Sequence, residues 1–242
     1  VNPSVARERI RERWRGVVER VEKACRRAQR DPREVTIIAV TKTVSSETAA
    51  LLPDLGIVEL GESRPQELWR KAERLPPTVR WHLIGHLQRN KVERTVRLRP
   101  VVHSVDSLQL LEALAVVAAQ LPGDPLRVFL EVNVSGERQK HGFRLEELAG
   151  ARDLVVRLNS GRLVVVGLMT MAPLSDDPER ARPIFAALHA LRDDWKDLPP
   201  PHRVEHLSMG MSQDFEVAVE EGATYLRLGS VLFEGLDEGT GE

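Results

Sequence analysis

The sequence predicts an α/β protein, a closed (β/α)8 barrel of the TIM type with an extra N-terminal helix, and three observations predict it. Short β-branched apolar runs recur eight times, helix-forming stretches follow most of them, and the Pro/Gly breaks between them are too short to link separate domains. Eight such runs close a barrel more readily than they fill an open sheet. The length of 242 residues suits one barrel of this kind, so residues 1–242 are expected to form a single domain.

The first ~30 residues place Val5, Ile10, Trp14, Val17, Val18 and Val21 at helical spacing between charged positions, which predicts an amphipathic opening helix. Cys25 lies within it, in Lys23-Ala24-Cys25-Arg26-Arg27, and is expected to be buried there. A lone cysteine excludes an internal disulfide and a cysteine-rich metal site. After Asp31-Pro32 come the apolar runs, at residues 35–40, 57–60, 80–84, 101–105, 127–134, 163–168, 203–207 and 224–228. Helical stretches at 66–75 and 107–121 separate two pairs of them, and the breaks Leu75-Pro76-Pro77, Leu121-Pro122-Gly123 and Leu198-Pro199-Pro200-Pro201 each precede a run, where a turn belongs. Only residues 230–234 follow the eighth run as a helical segment, too little for an outer helix, so the opening helix is expected to cover that seam. Residues 235–242 are expected to fray.

Composition narrows the function. With 42% hydrophobic and 29% charged residues the chain can bury a core, and a formal net charge of −1 supplies no field for a nucleic-acid backbone. No segment approaches the ~20 apolar residues that span a bilayer, and the first residues carry no secretory apolar core, so a cytoplasmic protein with no membrane partner is expected.

Barrel active sites gather at the C-terminal ends of the strands, and here those ends are polar. The first run ends in Thr41-Lys42. A lysine directly after Ile37-Ile38-Ala39-Val40 is either desolvated, with a lowered pKa that makes it a nucleophilic amine able to capture an aldehyde, or a strand-end lysine paired with Glu62 or Asp106. The seventh and eighth runs end in Ser208-Met209-Gly210-Met211-Ser212 and Gly229-Ser230, which either bind a phosphate through hydroxyls, backbone N–H groups and a helix starting at Ser212, or merely turn the chain. Arg227 shares a face with Tyr225 and, inside a barrel, needs a carboxylate or a ligand acceptor such as a pyridine nitrogen. His82 and His86 do not have the helical placement that lets an i, i+4 pair converge on a metal, and no metal is expected.

At these residues the chain resembles the pyridoxal phosphate homeostasis protein family, which is itself similar to the N-terminal barrel of alanine racemase. The resemblance runs through Ala39-Val40-Thr41-Lys42, Gly61-Glu62-Ser63-Arg64-Pro65-Gln66-Glu67, Trp81-His82-Leu83-Ile84-Gly85-His86-Leu87-Gln88-Arg89-Asn90-Lys91, His103-Ser104-Val105-Asp106, Val132-Asn133, Gly167-Leu168-Met169-Thr170, Leu207-Ser208-Met209-Gly210-Met211-Ser212 and Arg227-Leu228-Gly229. It implies that Lys42 carries the cofactor as an aldimine, that Arg227 faces the pyridine nitrogen, and that Ser208, Gly210, Gly229 and Ser230 hold the phosphate. Ser63, His82 and Met209, within the same motifs, complete the expected cofactor-contact set. Ser63 stands where the family's second motif usually carries asparagine, so its reach to the cofactor is shorter. The resemblance further implies a cytosolic, largely monomeric protein that buffers pyridoxal phosphate and delivers it to apoenzymes without robust catalysis. The alternative is a catalyst on the same fold, such as an amino-acid racemase, which needs a base on each face of its substrate. Tyr225, the only tyrosine, is expected to fill the barrel instead.

Overall fold

A computed structural model of the chain describes residues 2–137, 139–158 and 160–236. Eight parallel strands close in sequence order: β1 Thr36–Val40, β2 Glu59–Glu62, β3 Arg80–Leu83, β4 Val101–Val105, β5 Leu126–Glu131, β6 Leu163–Met169, β7 His206–Ser208 and β8 Tyr225–Leu228. The outer layer comprises α1 Pro3–Arg27, α2 Ser46–Ala49, α3 Pro65–Ala72, α4 Val92–Val96, α5 Leu108–Gln120, α6 Leu148–Arg157, α7 Arg182–Asp193, α8 Phe215–Glu220 and α9 Ser230–Phe233. The expected fold class is the one observed.

Local chemistry sets the helix starts. Asn2 accepts a hydrogen bond from Ser4 N and Pro3 opens α1, while Ser107 accepts from Leu110 N at the start of α5. The buried stripe of α1 is Ala6, Ile10, Val17, Val21, Ala24 and Cys25. Val5 falls outside it and is exposed, because Ala6 occupies that turn of the face. This helix packs on α8 and α9 as expected: Arg20 stacks over the Phe215 ring, Arg27 pairs with Glu216 and Glu220, and Arg13 donates to the carbonyls of Leu232 and Glu234. It thus stands where the short α9 leaves the wall thin. Of the expected frayed tail, residues 237–242 lie outside the described residues.

Alternation along the strands divides two cores. Ile38, Val40, Phe129, Val166, Met169 and Tyr225 fill the barrel, whereas Ala39, Val128, Leu130, Leu226 and Leu228 face the helices. β2 runs two residues further than the apolar pattern indicates. Gly61 lies within it, and a Cβ there would meet Ile38 Cγ2 at 2.8 Å, so the close packing of the barrel favours glycine at this position. β7 is shorter than residues 203–207 promise and starts only at His206. Among the described residues no helix is long and apolar enough to cross a membrane.

Candidate functional site

Where β1 and β8 meet, the strand ends open into a cavity of about 410 Å³. Lys42, Ser63, Arg227, Gly229 and Ser230 line it, joined by Thr43, Ser212, Gln213 and Asp214, with apolar walls from Val40, Ile84, Met171 and Phe233. That volume is in the range of small-molecule sites.

Lys42 follows β1, which ends at Val40, and is exposed at this mouth, so it is not the desolvated amine of the first alternative. Neither suggested carboxylate holds it. Glu62 is committed to Lys71, Asp106 to His86, and among the described residues no ion pair to Lys42 forms. The Lys71–Glu62 pair instead builds the floor beneath it: Lys71 Nζ donates to Glu62 Oε1 at 2.6 Å and to the Thr41 carbonyl at 2.7 Å, while Thr41 Oγ1 donates to the same carboxylate oxygen at 2.6 Å. Both charged side chains are 1% exposed, so the backbone bond before Lys42 is held by a dry ionic contact.

Arg227 is buried and reaches the cavity from β8. Burial pushes its guanidinium down to about 10, opposed by the Glu131 and Asp214 carboxylates, so it remains a cation at neutral pH. It donates to Ser208 Oγ at 2.6 Å and to the Thr170 carbonyl at 2.9 Å. Ser208 continues a chain of hydrogen bonds through the barrel: His103 Nδ1 lies 2.8 Å from Ser208 Oγ, His82 Nδ1 2.9 Å from His103 Nε2, and Glu59 Oε2 2.8 Å from His82 Nε2. A guanidinium only donates and a carboxylate only accepts, which fixes the sense of the whole chain. Ser208 gives its proton to His103, His103 gives its own to His82, and His82 gives its own to Glu59. Burial holds both imidazoles neutral by lowering their pKa, that of His103 well below the ordinary range.

This network relocates part of the expected contact set. Ser208 and His82 lie within the barrel and do not line the cavity, and the Ser208 hydroxyl proton points away from it toward His103. Met209 is buried in the outer core. Gly210 has φ +94°, and a Cβ on it would approach Ala218 Cβ to 2.6 Å, so its lack of a side chain serves the close approach of α8, and it does not line the cavity. The cavity is met one turn later, at Met211 to Asp214, and α8 starts at Phe215, not at Ser212. Ser212, named in the sequence only as part of the phosphate motif and as a helix start, lines the cavity. Its Oγ accepts from Gly229 N at 3.3 Å and Val231 N at 3.2 Å and so ties the loop after β7 to the loop after β8. Tyr225 sits within the barrel, its hydroxyl accepting from Arg127 at 3.1 Å.

Glu131, at the end of β5, is 4% exposed. Burial, reinforced by the Asp106 carboxylate, raises its carboxyl to about 7. The unfolded chain therefore gives up this proton at lower pH than the folded one does, and the folded state loses stability as pH rises from the ordinary carboxylate range through 7. Glu131→Gln removes that dependence. Relative to wild type it should gain on the order of 3 kcal/mol in urea unfolding between about pH 4 and about pH 8. A difference that does not change with pH would show that the carboxyl titrates normally.

The barrel with a lysine at the end of its first strand defines a class, the alanine racemase N-terminal domain, whose family model matches residues 17–237. Within that class two relatives named pyridoxal phosphate homeostasis protein align over most of the chain. The one from Aquifex aeolicus is 39% identical over 227 residues, covering 92% of this chain and 96% of its own length. The one from Homo sapiens is 35% identical over 234 residues, covering 90% and 84%. The chain belongs to the pyridoxal phosphate homeostasis protein family. Among solved structures, PipY of Synechococcus elongatus with pyridoxal phosphate bound superimposes with a TM-score of 0.78 at 32% identity, covering 93% of this chain and 99% of that one.

Proposed function

We propose that this chain holds pyridoxal phosphate at the barrel mouth through a covalent bond to Lys42, and that it acts in pyridoxal phosphate homeostasis by carrying the cofactor. The observation that carries the reading is one cavity lined by both an amine outside any observed ion pair and a buried guanidinium, from the adjacent strands β1 and β8. When bound, the cofactor supplies an aldehyde electrophile and a pyridine ring. Arg227, with two of its five donors used in the contacts above, offers others to the ring nitrogen. Gly229, Ser230 and Ser212 receive the phosphate: the N–H groups of Gly229 and Val231 now point at the Ser212 hydroxyl, and rotation of that side chain turns them over to phosphate oxygens. Ser63 flanks the ring from the rim.

The test is to titrate the cofactor-free protein with pyridoxal phosphate and with pyridoxal, following visible absorbance. One equivalent should bind, with strong preference for the phosphorylated form. Hydrogen bonds to a charged group contribute roughly 1.5–3 kcal/mol each, so Ser212→Ala combined with Ser230→Ala should weaken pyridoxal phosphate by about 100-fold or more and leave pyridoxal unchanged. Equal losses would move the phosphate elsewhere, and no visible band with cofactor in excess would end the reading.

Carriage without robust turnover follows from the same residues. A protonated Arg227 donates to the ring nitrogen and keeps it unprotonated, which weakens the ring as an electron sink. Tyr225, the one phenol, is turned into the barrel toward Arg127 and supplies no base at the cavity. Lys42 and Ser230 are exposed, so an incoming amine or the lysine of an apoenzyme can reach the bond and exchange the cofactor away. In deuterated water, alanine of either hand should exchange its α-proton more slowly than about 1 s⁻¹, as NMR would record. Rates in the ordinary enzymatic range of about 1–10³ s⁻¹ would favour the racemase alternative. The reading makes residues 1–242 one cofactor-binding domain, monomeric and cytoplasmic, whose partners are pyridoxal phosphate and the apoenzymes that take it.

A further inference from the structure

We propose that His86, Asp106 and His141 bind a divalent transition-metal ion of the zinc class at the barrel mouth, beside the ends of β3, β4 and β5 and across the ring of strands from β8. Both imidazoles aim Nδ1 at one carboxylate oxygen: Asp106 Oδ2 lies 2.8 Å from His86 and 3.6 Å from His141. One ligand atom from each residue lies within 4.8 Å of the other two. Around a tetrahedral ion with bonds of about 2.0–2.2 Å, neighbouring ligands stand about 3.4 Å apart. The two observed separations bracket that value, and small side-chain rotations complete the geometry. No ligand of this set lines the cavity of Lys42.

The three side chains are brought together by a fixed backbone. Ser104 Oγ donates to the Gly85 carbonyl at 2.6 Å, and a Cβ on Gly85 would lie 2.2 Å from the Ser63 carbonyl oxygen, which pins the segment entering His86. On the other side Gly142 takes φ +111°, a conformation glycine permits, and Phe143 N donates to the Glu131 carbonyl at 2.7 Å while Asn133 N donates to the Phe143 carbonyl at 2.9 Å. His141 is thereby carried on a tether to β5. The Asp106 side chain, 8% exposed, is held between the loops.

The chemistry selects the ion. The His86 and His141 rings stack at 4.8 Å with 19° between planes, with both Nδ1 atoms beside Asp106 Oδ2. Two nitrogens and one carboxylate oxygen suit Zn²⁺, Co²⁺ or Ni²⁺ better than Mg²⁺ or Ca²⁺, which prefer all-oxygen sets. Three protein ligands leave a further position for water. This is not the pair that sequence spacing draws attention to, since His82 is committed to Glu59 and His103 deep in the barrel.

The full chain, free of any affinity tag and stripped of metal, is titrated with Zn²⁺ by calorimetry and with Co²⁺ by visible spectroscopy, with and without pyridoxal phosphate. One ion per chain should bind, and Co²⁺ should develop ligand-field bands. His141→Ala, at a side chain 63% exposed and therefore safe for folding, should weaken binding by at least about tenfold, as should Asp106→Asn, while Lys42→Ala leaves it unchanged. Absence of stoichiometric binding in wild type, or equal binding by wild type and the His86→Ala, His141→Ala double variant, would overturn the site.

Discussion

Borohydride reduction of the cofactor-loaded protein should leave the pyridoxyl group on the peptide carrying Lys42, and Lys42→Ala should leave no reducible adduct at all. The chain has six lysines, and their surroundings separate them sharply. Lys71 is buried against Glu62 and cannot present its amine to an aldehyde without abandoning that pair. Lys140 and Lys196 are paired with Glu137 and Asp193. Lys23 lies on the outer helix α1, and Lys91 closes a short turn before α4. Only Lys42 is among the cavity-lining residues, on the strand next to Arg227 and the loops that carry Gly229 and Ser212. The effect is all or none, because no other side chain at the cavity can form the bond. The readout is the visible band together with mass mapping of the reduced peptide. Recovery of the adduct on another lysine, or an undiminished band in Lys42→Ala, would refute the assignment. Residual non-covalent affinity in that variant is expected through Arg227 and the phosphate loops, and it would show that the rest of the site is intact.

What the sequence made legible follows from where the information lies. That Lys42, Ser63, Arg227, Gly229 and Ser230 gather at the barrel mouth was readable because each follows an apolar run or sits within one, and strand-end position in a barrel is a one-dimensional property. The eight strands were readable for the same reason, since β-branched runs and turn residues are local. The structure departs from the pattern in the sequence where a contact across the fold decides. The Ser208 hydroxyl looked like a phosphate ligand, yet its orientation is set by His103, 105 positions away, and by Arg227. Gly61 fell just beyond the second apolar run, yet it belongs to β2, and Ile38 on the neighbouring strand demands a glycine there. For Lys42 the apolar run before it left desolvation and pairing both open; the side chain is exposed with no ion pair among the described residues, and the buried lysine is Lys71, which lies on α3 where an exposed cation is the ordinary expectation. Ser212 was in view within the motif Ser208-Met209-Gly210-Met211-Ser212, but only the cavity shows which of its two serines lines it.

Lys71→Met should lower the stability of the protein by about 3–5 kcal/mol, the cost of removing one partner from a buried ion pair. The geometry favours the upper part of that range. The Glu62 carboxylate that remains would keep only the Thr41 hydroxyl as a donor, and its second oxygen, Oε2, already has no hydrogen-bond partner. An ionised carboxylate in so dry a place either bears a desolvation penalty or takes up a proton. The Thr41 carbonyl would lose its bond to Lys71 as well. For a chain of this length the loss corresponds to a fall in Tm of roughly 6–20 °C. The double variant Glu62→Leu, Lys71→Met decides whether the charge or the packing matters. If the penalty is the uncompensated carboxylate, replacing both partners by apolar groups should recover at least half of the lost stability, since buried pairs exchanged whole for hydrophobic residues are often neutral. If the double variant is as unstable as the sum of two severe single losses, the pair is needed as a pair. In that case it acts as the clamp that holds Thr41, and the consequence should reach the neighbouring residue. Cofactor titration of the double variant, carried out well below its Tm, would then show weakened capture at Lys42 even though no cavity-lining residue has been changed.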